Sequence, residues 1–159
     1  GGGSALDQGV YTAAFANWFA GSGLLNQKSV GELFPDGADA SVHSILEFEN
    51  GVLGIALSSL VGTLGFGGRL VGDAGSIEFK GQFWNAEEVV ISGPFDGQEH
   101  PDEVIRLPHR GAGYVHMIES VSNAIIAGKT ENELHPLHFT IEVMEILDEA
   151  RRQISEAAK

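Results

Sequence analysis

Residues 5–20 carry apolar side chains at Leu6, Val10, Ala13, Ala14, Trp18 and Ala20, a spacing that predicts a helix, stopped by Gly21 and Gly23. Residues 24–38, which contain GELFPDG, read as a loop or a broken strand. The period then changes. SVHSILEF alternates, with Val42, Ser44, Leu46 and Phe48 on one face and His43, Ile45 and Glu47 on the other. Asn50-Gly51, the favoured type I′ hairpin dipeptide, precedes a returning strand in VLGIALSSLV. The Gly-rich GTLGFGG leads into RLVG, Asp73-Ala74-Gly75 turns the chain into SIEF, and VVISG and EVIRL are two further short strands. Two helices follow. One carries a stripe of Val115, Ile118, Val121 and Ile125 and closes at Gly128; the other runs through Ile141, Met144, Ile146, Leu147 and Ile154. Arg151 and Arg152 near its end suit the helix dipole. Helix, strands, then helices predict an α+β domain over residues 1–159: a mostly antiparallel open sheet with helices packed on one face.

Composition narrows the partners. The 159 residues hold 22 Asp and Glu against 9 Lys and Arg, a net charge of −13. Nucleic acid and anionic membranes need a basic surface, so neither is an expected partner. Without Cys there are no disulfides, no thiolate catalysis and no Cys-ligated metal, a composition compatible with a cytoplasmic protein. No apolar run approaches the length of a membrane span.

The candidate chemistry sits at the start. Gly1-Gly2-Gly3-Ser4 taken alone reads as a flexible linker. Asp7 stands four residues before Tyr11, a spacing that shares one helical face. Taken alone, Asp7 reads as a cap or a charge match for the helix N-terminus. His135 and His138 have i, i+3 spacing but flank Pro136 with no evident third ligand, so no metal site is expected. GFGG is neither a dinucleotide fingerprint nor a phosphate loop, and strand-edge glycines are the better reading. Glu142, Glu145, Asp148 and Glu149 read as the solvated face of the last helix.

Five segments in order, GGGSALDQGVY, LEFENGVLG, GRLVGDAGSIEF, GYVHMIESVSNAIIAGKTE and IEVMEILDEARRQI, resemble the C-terminal domain of the Gfo/Idh/MocA oxidoreductases across nearly the whole chain. The resemblance implies a glyceraldehyde-3-phosphate dehydrogenase-like C-terminal fold that binds substrate and forms oligomers through its sheet face. It also implies NAD or NADP held by a separate N-terminal Rossmann domain, which is not in this sequence, so no residue here is expected to bind cofactor. A substrate with an oxidisable CH–OH group, a sugar, polyol or cyclic diol, follows from the same likeness. The implied substrate-binding residues are Gly2, Gly3, Asp7, Tyr11 and His116, with Tyr11 and Asp7 catalytic. A phenol titrates near ~10 and needs a neighbouring cation to act as a base; the family supplies a Lys from its nucleotide-binding domain. Thr12 stands where many Tyr-type members have Pro. The alternative is a non-catalytic module that keeps the fold for dimerisation or ligand binding.

Overall fold

The computed structural model describes residues 2–108, 110 and 113–158. A π-helical turn, Ala5–Gly9, runs into α1 (Val10–Ala20); β1 (Leu24–Leu33), β2 (Asp39–Phe48), β3 (Leu53–Ser59), β4 (Gly68–Gly72), β5 (Gly75–Phe79), β6 (Glu88–Ser92), β7 (Glu103–Arg106), α2 (Val115–Ile126) and α3 (Leu137–Ala157) follow. The chain divides into two units, Gly1–Leu64 with Glu133–Lys159, and Gly65–Asn132. The fold is α+β, and the predicted meander is two antiparallel sheets, β1-β2-β3 and β4-β5-β6-β7, one in each unit.

In the first unit β2 is the central strand, and its alternation holds. Val42, Ser44, Leu46 and Phe48 are buried against the helices, while Ile45 and Glu47 are exposed on the other face and His43 is half-buried there. Residues 24–33, read from sequence as a loop or broken strand, form the ten-residue strand β1. Polar Asn26, Gln27, Lys28 and Ser29 hide it from a hydrophobicity reading, yet Gln27 and Ser29 are buried and hydrogen-bonded, with only Gln27 Oε1 left without a partner among the described residues. Gln27 donates to Ser29 Oγ and to the Ile146 carbonyl (2.9 Å each), and the Ser29 and Ser44 hydroxyls lie 2.8 Å apart. From α3, the Gln153 amide accepts from Ser29 N–H at 2.7 Å and donates to the Gln27 carbonyl at 2.9 Å. That side-chain amide thus pairs with the strand edge as a neighbouring strand would.

Two bulges shape this sheet. Between Leu24 and Asn26 the extra residue Leu25 turns outward, so Leu24 joins Phe48 against the core. Between Glu32 and Leu33 the slip leaves Ala40 extra on β2, so that Leu33 pairs with Asp39 and Asp39 turns to the helix-bearing face. The β2–β3 hairpin also differs from expectation. Gly51 N–H donates to the Phe48 carbonyl and Phe48 N–H to the Val52 carbonyl; Gly51 has φ +83°, whereas no described non-Gly residue has positive φ. A type I′ turn requires Asn50 at positive φ as well, so this is a type I turn closed by a left-handed Gly. Asn50 is held by its side chain, which donates to the Ala20 carbonyl at 2.8 Å and accepts from Val52 N–H at 3.2 Å.

α1 and α3 pack on the same face of this sheet. α1 buries small residues, Ala13, Asn17 and Ala20, and therefore lies close. Gly54 on β3 leaves room for it, since a Cβ there would stand 3.2 Å from that of Ala16. α3 buries Phe139, Val143, Ile146, Leu147, Ala150 and Ile154, a helical stripe. Ile141 and Met144, expected in the core, lie outside it and are exposed. In the second unit the short strands are mostly half-buried, and Trp84 packs edge-on against Phe66 and Phe83. α2 closes at Gly128 (φ +70°) as expected, but none of its residues is buried and its stripe of Ile118, Val121 and Ile125 is exposed.

Near the end of α3, Arg152 forms a paired contact with Glu149 (2.6 and 2.7 Å) and reaches Glu156 at 2.6 Å. The Arg152 hydrogen bond, aided by Gln153, lowers the Glu149 carboxyl from 4.5 to about 2. A depressed folded value means that the contribution to stability is present above 4.5 and is lost as pH falls toward about 2. A carbon-detected NMR titration should place Glu149 near that lower value, and Arg152→Ala should return it toward 4.5. A second measurement concerns Asp39, 3% exposed, whose carboxylate accepts from Ala5 N–H at 2.5 Å. Asp39→Ala should cost about 1–3 kcal/mol in urea unfolding by orphaning that buried N–H, and Asp39→Asn, which keeps an acceptor, should cost less.

Candidate functional site

The opening segment is built from close approaches. A Cβ on Gly3 would collide with the Asp39 carbonyl and carboxylate, so only glycine lets the chain pass there. Gly2 is exposed beside the Leu6 side chain. Gly1 lies outside the described residues. Ser4 occupies the cap position of the helical start, but its hydroxyl makes no capping bond and is buried with no partner among the described residues. The cap comes from across the fold. Asp39 Oδ2 accepts from Ala5 N–H, and Asp39 Oδ1 lies 3.5 Å from Arg151 Nε on α3. A carboxylate from β2 thus does what an N-cap side chain does, beside the positive end of the helix. The sequence pattern did not single out Asp39 and assigned Arg151 to the helix dipole; their pairing depends on the bulge at Ala40.

From this seat the chain enters a π turn and then α1. Such turns insert an extra residue into a helix and occur often at functional sites. The Thr12 hydroxyl donates to the Gly9 carbonyl at 3.1 Å and links the π turn to α1, a bond that a Pro at this position would not make. Asp7 and Tyr11 are both exposed, Tyr11 by 48%, and Asp7 N–H donates to the Gly3 carbonyl. The structure thus brings Gly3, Asp7 and Tyr11 onto one short segment. Because Asp39 caps the helical start, the capping role first open to Asp7 is filled by another residue.

His116 belongs to the second unit, where it is exposed in the first turn of α2. Nearby, Arg110 binds Glu119 through two contacts of 2.7 and 2.9 Å, and that bond, with smaller help from His116, lowers the Glu119 carboxyl. His135 precedes α3 and is not on its face; it contacts the Thr140 hydroxyl at 3.1 Å and packs edge-on against Phe139. No group of three His, Asp or Glu fit to hold a metal occurs among the described residues.

A cleft of about 360 Å³ opens at the other end of α1, lined among others by Asn17, Trp18, His138, Phe139 and Glu142. Neither Asp7 nor Tyr11 lines it. Asn17 already donates to Glu142 at 2.9 Å and Trp18 packs edge-on against Phe139, so the cleft is a packing seam between α1 and α3. Every described strand pair is antiparallel. A Rossmann dinucleotide crevice is built on parallel strands with a Gly-rich βα turn, and the strand pairs described here do not form one. No described helix is long and apolar enough to cross a membrane.

No family model matches the chain, and no curated protein matches it. Solved structures do. Aldose–aldose oxidoreductase from Caulobacter crescentus, complexed with glycerol, is 15% identical over 98% of this chain and 46% of its own, with a TM-score of 0.79. UDP-N-acetylglucosamine 3-dehydrogenase from Acidithiobacillus ferrooxidans is 16% identical over 96% of this chain and 50% of its own, TM-score 0.76. A 3-ketoreductase from Actinomadura kijaniata in complex with NADP is 20% identical over 96% and 48%, TM-score 0.76. The chain spans about half the length of these structures. Its antiparallel sheets and helices share the α+β fold of the matched halves of these oxidoreductase structures, in keeping with the α+β fold expected from its sequence.

Proposed function

We propose that this chain is the substrate-binding and oligomerisation domain of an NAD(P)-dependent oxidoreductase acting on a CH–OH group of a sugar, polyol or cyclic diol. The observation that carries the reading is the division of labour at the first helix. Asp39 caps its start, while Asp7 and Tyr11 are left exposed on it. The fold and the sugar-related names of the similar structures support it. Tyr11 exchanges the hydroxyl proton of the substrate, and Asp7 holds substrate hydroxyls or orients the phenol. Gly2 lets the ligand approach the backbone, Gly3 lets the segment pass Asp39, and His116 is a further candidate for substrate binding. The hydride belongs to NAD or NADP, which a nucleotide-binding domain outside this sequence holds.

Two experiments test this. Tyr11→Phe in the full-length enzyme removes one oxygen and little volume. Turnover should fall by ~10²–10⁴ with folding intact, and Asp7→Asn should raise KM as well as lower kcat. Near-wild-type turnover in Tyr11→Phe ends the catalytic assignment. Calorimetry on the 159-residue chain alone should detect no binding of NAD or NADP; micromolar binding would overturn the placement of the cofactor on another domain.

A further inference from the structure

The face of the β1-β2-β3 sheet opposite α1 and α3 has four rows, in the first of which Ser41 and Ser59 are buried. Strand register sets them as Glu32–Ser41–Ser59, Val30–His43–Leu57, Lys28–Ile45–Ile55 and Asn26–Glu47–Leu53. Val30, Ile45, Leu53, Ile55 and Leu57 are exposed, Leu53 and Ile55 by 70% each. A contiguous apolar sheet face of this kind is an association surface. Its charges indicate the occupant. In a chain of net charge −13, these rows hold one Lys and two Glu, so the face is close to neutral and carries both signs. Two copies repel over much of their surfaces and least here. A basic partner would find more opposite charge elsewhere. Under a two-fold axis the Lys28 of each copy can meet an acid of the other, Glu32 or Glu47, which is the self-complementarity that an isologous contact requires.

His43 lies in the middle of this face on the central strand, half-buried between Val30 and Leu57. We infer that the sheet face is a contact between two copies of this chain whose strength is set by the protonation of His43. The inference rests on the reading of the sheet as the oligomerisation surface. In a single copy, water reaches the imidazole and either charge state is tolerated. A second copy removes that water and leaves the ring among aliphatic rows, where the charged form is costly. The titratable groups of the face stand in balance. On β1, Lys28 and Glu32 are each one row from His43, on opposite sides; on β2, Glu47 is two rows away; β3 presents no charged residue between Leu53 and Ser59. Burial therefore decides. The associated state binds fewer protons than two separate copies, so association strengthens as pH rises and weakens as it falls.

Sedimentation velocity on the full-length protein at pH 7.5 and 5.5 tests this, with circular dichroism confirming the fold at both. The wild type should dimerise at pH 7.5, with Kd at least ~10-fold higher at pH 5.5, since each linked proton is worth up to tenfold per pH unit. His43→Gln, or His43→Asn if the first variant folds poorly, should keep one Kd at both. Ile55→Asp should be monomeric at both. Two results overturn the role of His43 and leave the contact standing: a wild-type Kd that ignores pH, or a His43→Gln variant that keeps the wild-type pH dependence. A wild type that is monomeric at pH 7.5, or an Ile55→Asp variant that still dimerises, overturns the contact itself.

Discussion

The buried carboxylate of Asp39 is the joint at which the first unit comes together. It receives the Ala5 N–H at the helical start, stands against Arg151 of α3, and lies under the backbone of Gly3. One side chain thus ties the π turn, β2 and α3. Burying a charge is costly unless it is hydrogen-bonded and paired. Here the helical N–H and the positive end of the helix supply most of the compensation. Arg151 is 42% exposed, so its Coulombic share is reduced by solvent. The geometry exists only because a bulge at Ala40 turns Asp39 to the covered face, and only because Gly3 has no Cβ. If either is removed, the helix that carries Asp7 and Tyr11 loses the seat that orients it.

How much of this was legible depended on whether the determining contact was local. The alternation of Val42 through Phe48 and the turn at Asp73-Ala74 are local, and the structure keeps both. The stripe of α3 was found in part, because Ile146, Leu147 and Ile154 are core while Ile141 and Met144 are not. β1 was missed because its inward residues are Gln27 and Ser29, which are hydrogen-bonded by Ser44, Ile146 and Gln153, the last two from more than a hundred residues away. No local pattern distinguishes such a strand from a polar loop. Asn50-Gly51 was rightly placed at a turn, but its type was decided by the Asn50 bond to the Ala20 carbonyl. At the candidate site, the segment that holds Asp7 and Tyr11 stood out through its family likeness. Asp39 and Arg151 did not, since a bulge and a 3.5 Å ion pair are tertiary facts.

The polarity of the first sheet is partly inverted. A one-sided antiparallel sheet is expected to be apolar toward its helices and polar toward water. Here the covered side of β1 and β2 holds Gln27, Ser29 and Ser44 in a bonded network, and the open side holds Val30, Ile45, Leu53, Ile55 and Leu57. The two halves of this inversion have different causes. The buried network is stable because its hydrogen bonds are made within the protein, with Gln153 closing the exposed edge of β1. That closure also keeps this stretch of the edge from pairing with another strand. The apolar open side has no such internal compensation, and burial against another surface is what removes its cost. Polar bonds on the covered side fix one strand, and aliphatic rows around a single histidine are left on the other side.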